Sequence, residues 1–207
     1  EYIDQMPLNA EPEVFGMHEN ANITSAITST NDTFEIILSL QPRVSAGAGI
    51  SREDQISETA VAFHAQLGQP FDLEAVAMQY PTDYYESMNT VLVQEAERYN
   101  NLLVVLHETL RLLPLALKGL VVLSAELEAM ATAVFDQRVP VTWTNKAYPS
   151  LKPLNAWFKD LVERLKFIQT WIDEGVPPSY WISGFFFPQG FLTAILQNFA
   201  RKYAQPI

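Results

Sequence analysis

Apolar residues recur every three or four positions along most of this chain, and no stretch alternates convincingly between apolar and polar. Across residues 84–113 the series is Met88, Leu92, Tyr99, Leu103, Leu106, Leu110 and Leu113. Across residues 153–174 it is Leu154, Trp157, Phe158, Leu161, Leu165, Ile168 and Trp171. That spacing lines one face of an α-helix, whereas a half-buried strand needs a period of two. The fold class expected is therefore all-α: a multi-helix bundle with a long kinked central helix and few or no strands.

Breakers and caps divide the chain further. Residues 1–22 are Pro-bearing and non-periodic and read as a connector; residues 23–207 read as the helical part. A helix is expected over about 22–40, interrupted by a polar run at 28–33. A loop follows at 41–50, with Gly47 and Gly49 at its flexible centre. Ser51 and Asp54 have capping-box spacing and open a helix to about 67, with Ile56, Ala60, Phe63 and Leu67 on one face. A short helix ends at Pro81. Pro114 stops or kinks the central helix, and a second run over 115–135 is expected to continue it as one kinked rod, with a tight hairpin as the alternative. The loop at 139–151 holds Trp143 and Tyr148. Pro153 opens the next helix, and Gly175 with Pro177 and Pro178 closes it.

The last element follows Trp181 and the run Phe185, Phe186, Phe187. Pro188 suits a first helical position, and Phe191, Leu192, Ile195, Leu196, Phe199 and Tyr203 continue at helical spacing to about residue 203. This reads as a buried aromatic plug opening a helix. Three consecutive phenylalanines cannot all face one side, so one side packs in this chain and the other in this chain or on a neighbour.

Composition excludes more than it assigns. The chain has 207 residues, 48% hydrophobic and only 18% charged, so a sizeable core is expected and part of the surface is expected to be interface. A net charge of -11 argues against nucleic-acid binding, because no basic stripe can replace phosphate counterions. It argues equally against docking on an acidic surface. Without cysteine there is no disulfide or thiolate metal site. No signal peptide is visible, and the apolar run at 112–123 is too short and interrupted to span a bilayer. The start without an initiator Met reads as an excised piece of a longer polypeptide.

Chemistry-bearing motifs are scarce. No Gly-x-x-x-x-Gly-Lys-Ser/Thr loop exists to cradle phosphates; Lys118-Gly119 has the wrong order and reads as lying within a helix. His18, His64 and His107 lack a ligand at metal-binding spacing. Ser183-Gly184 lacks the first glycine of a nucleophile elbow. Glu95, Glu97, Glu108, Glu126 and Glu128 read as solvated helix faces, with Glu95/Arg98 and Glu108/Arg111 paired on the wetter side. No catalytic, cofactor-binding or metal-binding residue is assigned. Trp157, Trp171, Trp181, Phe185, Phe186, Phe187 and Phe191 are the packing anchors expected, as core or as an aromatic groove for a partner helix.

Four blocks carry a family resemblance. They are Pro12-Glu-Val-Phe-Gly-Met-His-Glu-Asn-Ala21; Glu86-Ser-Met-Asn-Thr-Val-Leu-Val-Gln-Glu95 with Arg98-Tyr-Asn100; Lys118-Gly-Leu-Val-Val122 with Glu126-Leu-Glu128; and Ala147-Tyr-Pro-Ser-Leu-Lys-Pro-Leu154, joined to residues 181–193 and to Ala200-Arg-Lys202. In this order they resemble the C-terminal region of dynein heavy chains, with wording similar to axonemal inner-arm types. The resemblance implies that residues 1–22 end the lid of the sixth AAA+ module and that residues 23–207 are the helical half of the C-terminal region. It implies a non-catalytic brace, without cofactor, in a microtubule-stimulated ATPase of the ciliary axoneme. Its partners would be neighbouring AAA+ ring modules of the same heavy chain, with other dynein subunits admitted, and no nucleic acid, membrane or direct microtubule contact. The rival reading is a free-standing helical adaptor that holds an amphipathic peptide in an aromatic groove.

Overall fold

The computed structural model describes His18, residues 20–40 and residues 51–206. Most of the connector at 1–22 and the glycine loop at 41–50 lie outside the described residues. The polypeptide divides into two units, Glu1–Gly49 and Ile50–Ile207. Among the described residues all regular structure is helical.

In the first unit, α1 spans Asn20–Leu40. Its polar run does not break it, because the threonine hydroxyls donate to their own backbone one turn earlier: Thr24 to Asn20, Thr28 to Thr24, Thr30 to Ala26 and Thr33 to Ser29. These side chains therefore stay inside helical geometry instead of competing with it. Ile23, Ile27, Phe34 and Ile37 are exposed.

The second unit contains α2 (Arg52–Gln66), α3 (Leu73–Gln79), α4 (Ser87–Leu117), α5 (Ala125–Phe135), the one-turn α6 (Val141–Thr144), α7 (Leu154–Glu174) and α8 (Pro188–Tyr203), with a 3₁₀ turn at Ile182–Gly184. Helix α4 is the spine, and α2, α3, α5, α6, α7 and α8 all pack on it. Its stripe of Leu92, Tyr99, Leu102, Leu103, Leu106, Leu110 and Leu113 is fully buried. Phe63 of α2 stacks on Phe158 of α7 at 4.0 Å, and Trp143 on Trp157 at 5.9 Å. The Trp143 indole N–H is satisfied by the Thr109 hydroxyl at 2.9 Å, as is usual for a buried indole.

The cap read from sequence at Ser51 forms, and two further N-caps join it. Ser51 and Ser124 accept the N–H groups of Asp54 and Leu127 at the starts of α2 and α5, and Asp72 does the same for α3. The single rod does not form. Helix α4 runs through Pro114 but ends at Leu117. The Gly119 N–H bonds to the Ala116 carbonyl at 3.0 Å and the Leu120 N–H to the Leu115 carbonyl at 2.9 Å, with Gly119 left-handed at φ 72°. That pair of bonds is a Schellman stop, so Gly119 terminates a helix it was expected to lie within. Residues 120–123 are non-helical and exposed, and α5 is a separate element. Likewise α8 buries Phe191, Ala194 and Ala200, while Leu192, Ile195, Leu196, Phe199 and Tyr203 stay outside.

Candidate functional site

Between α7 and α8 a non-helical segment crosses the spine, and its backbone polar groups need partners there. Helices α4 and α7 supply them. Tyr99 of α4 donates its hydroxyl to the Gly184 carbonyl at 2.8 Å. Arg164 of α7 donates from Nη1 to the Phe185 carbonyl at 3.3 Å. The Glu95 carboxylate of α4 accepts both following N–H groups, from Phe186 on Oε2 and from Phe187 on Oε1 at 3.0 Å. Four consecutive residues are thus fixed by three side chains from two helices.

Glu95 is only 1% exposed. The reading of it as part of a solvated face is corrected: it is a buried acceptor, and the Arg98 guanidinium lies 3.5 Å from it. Burial pushes its carboxyl above the ordinary range, opposed by the two backbone N–H groups and by Arg98 and Arg164. Beside it, Arg164 Nε bonds Asp160 at 2.7 Å, and Asp160 also receives Lys152 at 3.0 Å and the Tyr148 hydroxyl at 3.1 Å. Burial would raise the Asp160 carboxyl, but the bonds from Arg164 and Lys152 outweigh it and hold it below its ordinary value. The Arg164 guanidinium also lies over the Tyr148 ring at 3.8 Å, a geometry that favours the cation. Burial raises the Tyr99 and Tyr148 hydroxyls, keeping both neutral donors.

The seven aromatic anchors fall into different places. Trp157, Trp171, Phe185 and Phe191 are buried in the core of this unit. Phe185 stacks on Phe191 at 4.4 Å, and Tyr180 meets Phe191 at 4.9 Å and Trp171 at 5.2 Å. Phe186 is half-buried, with ring edges toward Tyr99 at 5.3 Å and Tyr148 at 5.8 Å. Phe187 is 46% exposed under Arg98. Trp181 is 37% exposed, and a Cβ at Gly184 would sit 2.5 Å from its ring, so the turn is built around a glycine.

A second polar cluster ties α8 to the start of α4. Asn198 accepts the Ser87 N–H at 2.9 Å and donates to Glu86 at 2.7 Å. Gln197 and Arg201 both bond the Ser87 hydroxyl. The residues that sequence reasoning missed are Glu95, Tyr99 as a donor, Arg164, and the pair Ser87 and Asn198. For two of them a signal existed. Glu95 lies between Leu92 and Tyr99, and Arg164 between Leu161 and Ile168, so both fall within apolar stripes at helical spacing. A charge placed there is buried and needs a partner.

Among the described residues no three His, Asp or Glu side chains converge as a metal site, and no described helix is long and apolar enough to cross a membrane. The polar groups that do converge meet on backbone and on each other. The fold and this site define an all-helical bundle around one long spine, with an aromatic core and a clamped crossing segment. The family model for the C-terminal domain of the dynein heavy chain matches residues 27–207, and the protein belongs to that family. It is 54% identical to rat (Rattus norvegicus) dynein axonemal heavy chain 1 over 98% of its own length and 4% of that relative's. Against human (Homo sapiens) dynein axonemal heavy chain 1 the identity is 51%, over 98% and 5%. Against human dynein axonemal heavy chain 3 it is 48%, over 100% and 5%. The 207 residues thus span about a twentieth of the length of these relatives.

Proposed function

We propose that this domain is a non-catalytic brace in an axonemal dynein heavy chain, of inner-arm type, seated on neighbouring AAA+ ring modules of the same polypeptide. In this reading it binds no nucleotide or other cofactor, touches neither microtubule nor membrane, and works in the ciliary axoneme by coupling ring modules through packing. The observation that carries it is the outer face of α8. Leu192, Ile195, Leu196, Phe199 and Tyr203 are all exposed and lie on one side of the helix at spacings of three and four. A contiguous exposed apolar stripe of this kind marks a protein interface. The buried polar groups serve the fold, which supports a structural role over a catalytic one. The adaptor alternative is not favoured, because the relatives matching the whole sequence are heavy chains.

The test replaces Leu196 and Phe199 with Asp, in the 207-residue protein and in a full-length heavy chain. The domain alone should keep its melting temperature, because neither side chain is buried in it. The motor should lose microtubule-stimulated ATPase rate. An unchanged motor would refute the brace, and micromolar ATP binding to the isolated domain by calorimetry would refute its non-catalytic character.

A further inference from the structure

Helix α8 is held less deeply than the helices beneath it. It buries Phe191, Ala194 and Ala200, whereas α7 buries nine residues, among them two tryptophans. Its main packing falls on α4 and on its own lead-in turn, and its outer residues Leu192, Ile195, Leu196, Phe199 and Tyr203 are exposed. A groove of about 630 Å³ runs along the seam, between Val91 and Gln94 on one side and Phe187 and Ala194 on the other. Elements with few buried contacts open at lower free energy than the core.

The polar contacts of α8 are concentrated at its two ends. At the start, Glu95 accepts the N–H groups of Phe186 and Phe187. Toward the end, Asn198 and Arg201 hold Ser87. Immediately before Phe186 the backbone is anchored to the core, through Tyr99 on Gly184 and Arg164 on Phe185. The anchors from Tyr99 and Arg164 therefore end at Phe185, and the non-helical Phe186 and Phe187 beyond it are held to α4 by Glu95.

We propose that α8 with Phe186 and Phe187 is a strap that lifts from α4 as one unit, latched by Glu95 at one end and by the Ser87–Asn198–Arg201 cluster at the other, while the rest of the bundle stays folded. Lifting uncovers Phe191 and Ala194 and the face of α4 beneath them, so the latches set how much apolar surface this side of the domain presents. Glu95 is a positioning residue: it acts on no ligand and fixes where α8 begins.

Native-state hydrogen exchange on the full 207-residue protein tests this without any variant. Amides across 191–203 should exchange through one shared opening, about tenfold or more faster than the buried-face amides of α4 between Leu92 and Leu113. Glu95→Gln keeps one acceptor oxygen but turns an amide donor toward the other N–H, and should speed α8 a further roughly tenfold, leaving α4 unchanged. Should that variant not fold, Asn198→Ala reads the other latch and should give the same selective acceleration. A single rate shared by α4 and α8 would overturn the strap. So would a gradient falling steadily from Tyr203 to Phe191, which means end-fraying, or equal acceleration of all helices in either variant.

Discussion

Phe185, Phe186 and Phe187 occupy three environments within one turn of backbone. The Phe185 ring is enclosed by Phe191, Trp171 and Phe167. Phe186 meets two tyrosine edges, and Phe187 lies on the surface beneath a guanidinium. Truncation should grade accordingly. Phe185→Ala should cost about 3–5 kcal/mol, from lost transfer energy plus an unfilled cavity. Phe187→Ala should cost no more than about 1 kcal/mol, the scale of an exposed cation–π contact, and Phe186→Ala should fall between. Urea midpoints of the three variants check the order. A Phe187→Ala cost equal to that of Phe185→Ala would mean the surface assignment is wrong. The distinction matters for function, because Phe187 and Trp181 are the aromatic anchors left free to meet a neighbour, whereas Phe185 and Phe191 hold this domain together.

Helix ends in this bundle are set by backbone chemistry at a few positions. Helix α7 stops at Gly175, whose N–H still bonds the Trp171 carbonyl at 3.1 Å while its φ of 92° and ψ of -168° leave helical space. Only glycine occupies that region without strain. A Cβ there would meet no atom within 4 Å, so the cost of Gly175→Ala is conformational and not steric. It should be about 1–3 kcal/mol. Gly68→Ala also meets no atom and has no positive φ, so it should lie within about 0.5 kcal/mol of wild type. Equal denaturation midpoints for the two variants would contradict this reading of the α7 terminus. At the end of α5, Gln137 takes the left-handed position at φ 56° and gives its carbonyl to the first N–H of α7 at 3.0 Å. The stop of one helix thus serves the start of another.

Stability of the whole domain should depend on pH through two carboxylates of opposite sign. Asp160, held below its ordinary 3.8, contributes stability that is present above that value and lost as pH falls through the folded-state value. Glu95, raised above its ordinary 4.5 by burial, favours the folded state when protonated. Its contribution is present below 4.5 and is lost as pH rises through the raised value. Urea melts from about pH 3 to 7 should therefore show Asp160→Asn losing the acid-side dependence. Glu95→Gln should lose the decline above pH 4.5, so the wild-type advantage over this variant should shrink as pH rises. An advantage that grows across that window would reverse the assignment of Glu95. The same buried carboxylate thus anchors the crossing segment, opposes ionisation and latches the strap.

By itself the sequence determined which residues become helix and where most helices begin and end, because those choices are local. Periodicity marks the faces of α4 and α7, Ser51 caps α2, Pro188 starts α8 and Gly175 ends α7. The aromatic run before α8 and the family blocks were legible for the same reason. Tertiary structure decided what lies across from each face. Helix α8 carries apolar residues on more than one side, and period alone could not choose Phe191 and Ala194 as the inward set over the stripe from Leu192 to Tyr203. Lys118-Gly119 looked continuous with its helix until the carbonyls of Leu115 and Ala116 found their partners one and two residues beyond the cap. Glu95 resembled a surface glutamate because its partners, the N–H groups of Phe186 and Phe187, lie 91 and 92 residues away. Only folding brings those donors to the carboxylate, and their bonds make burying it tolerable.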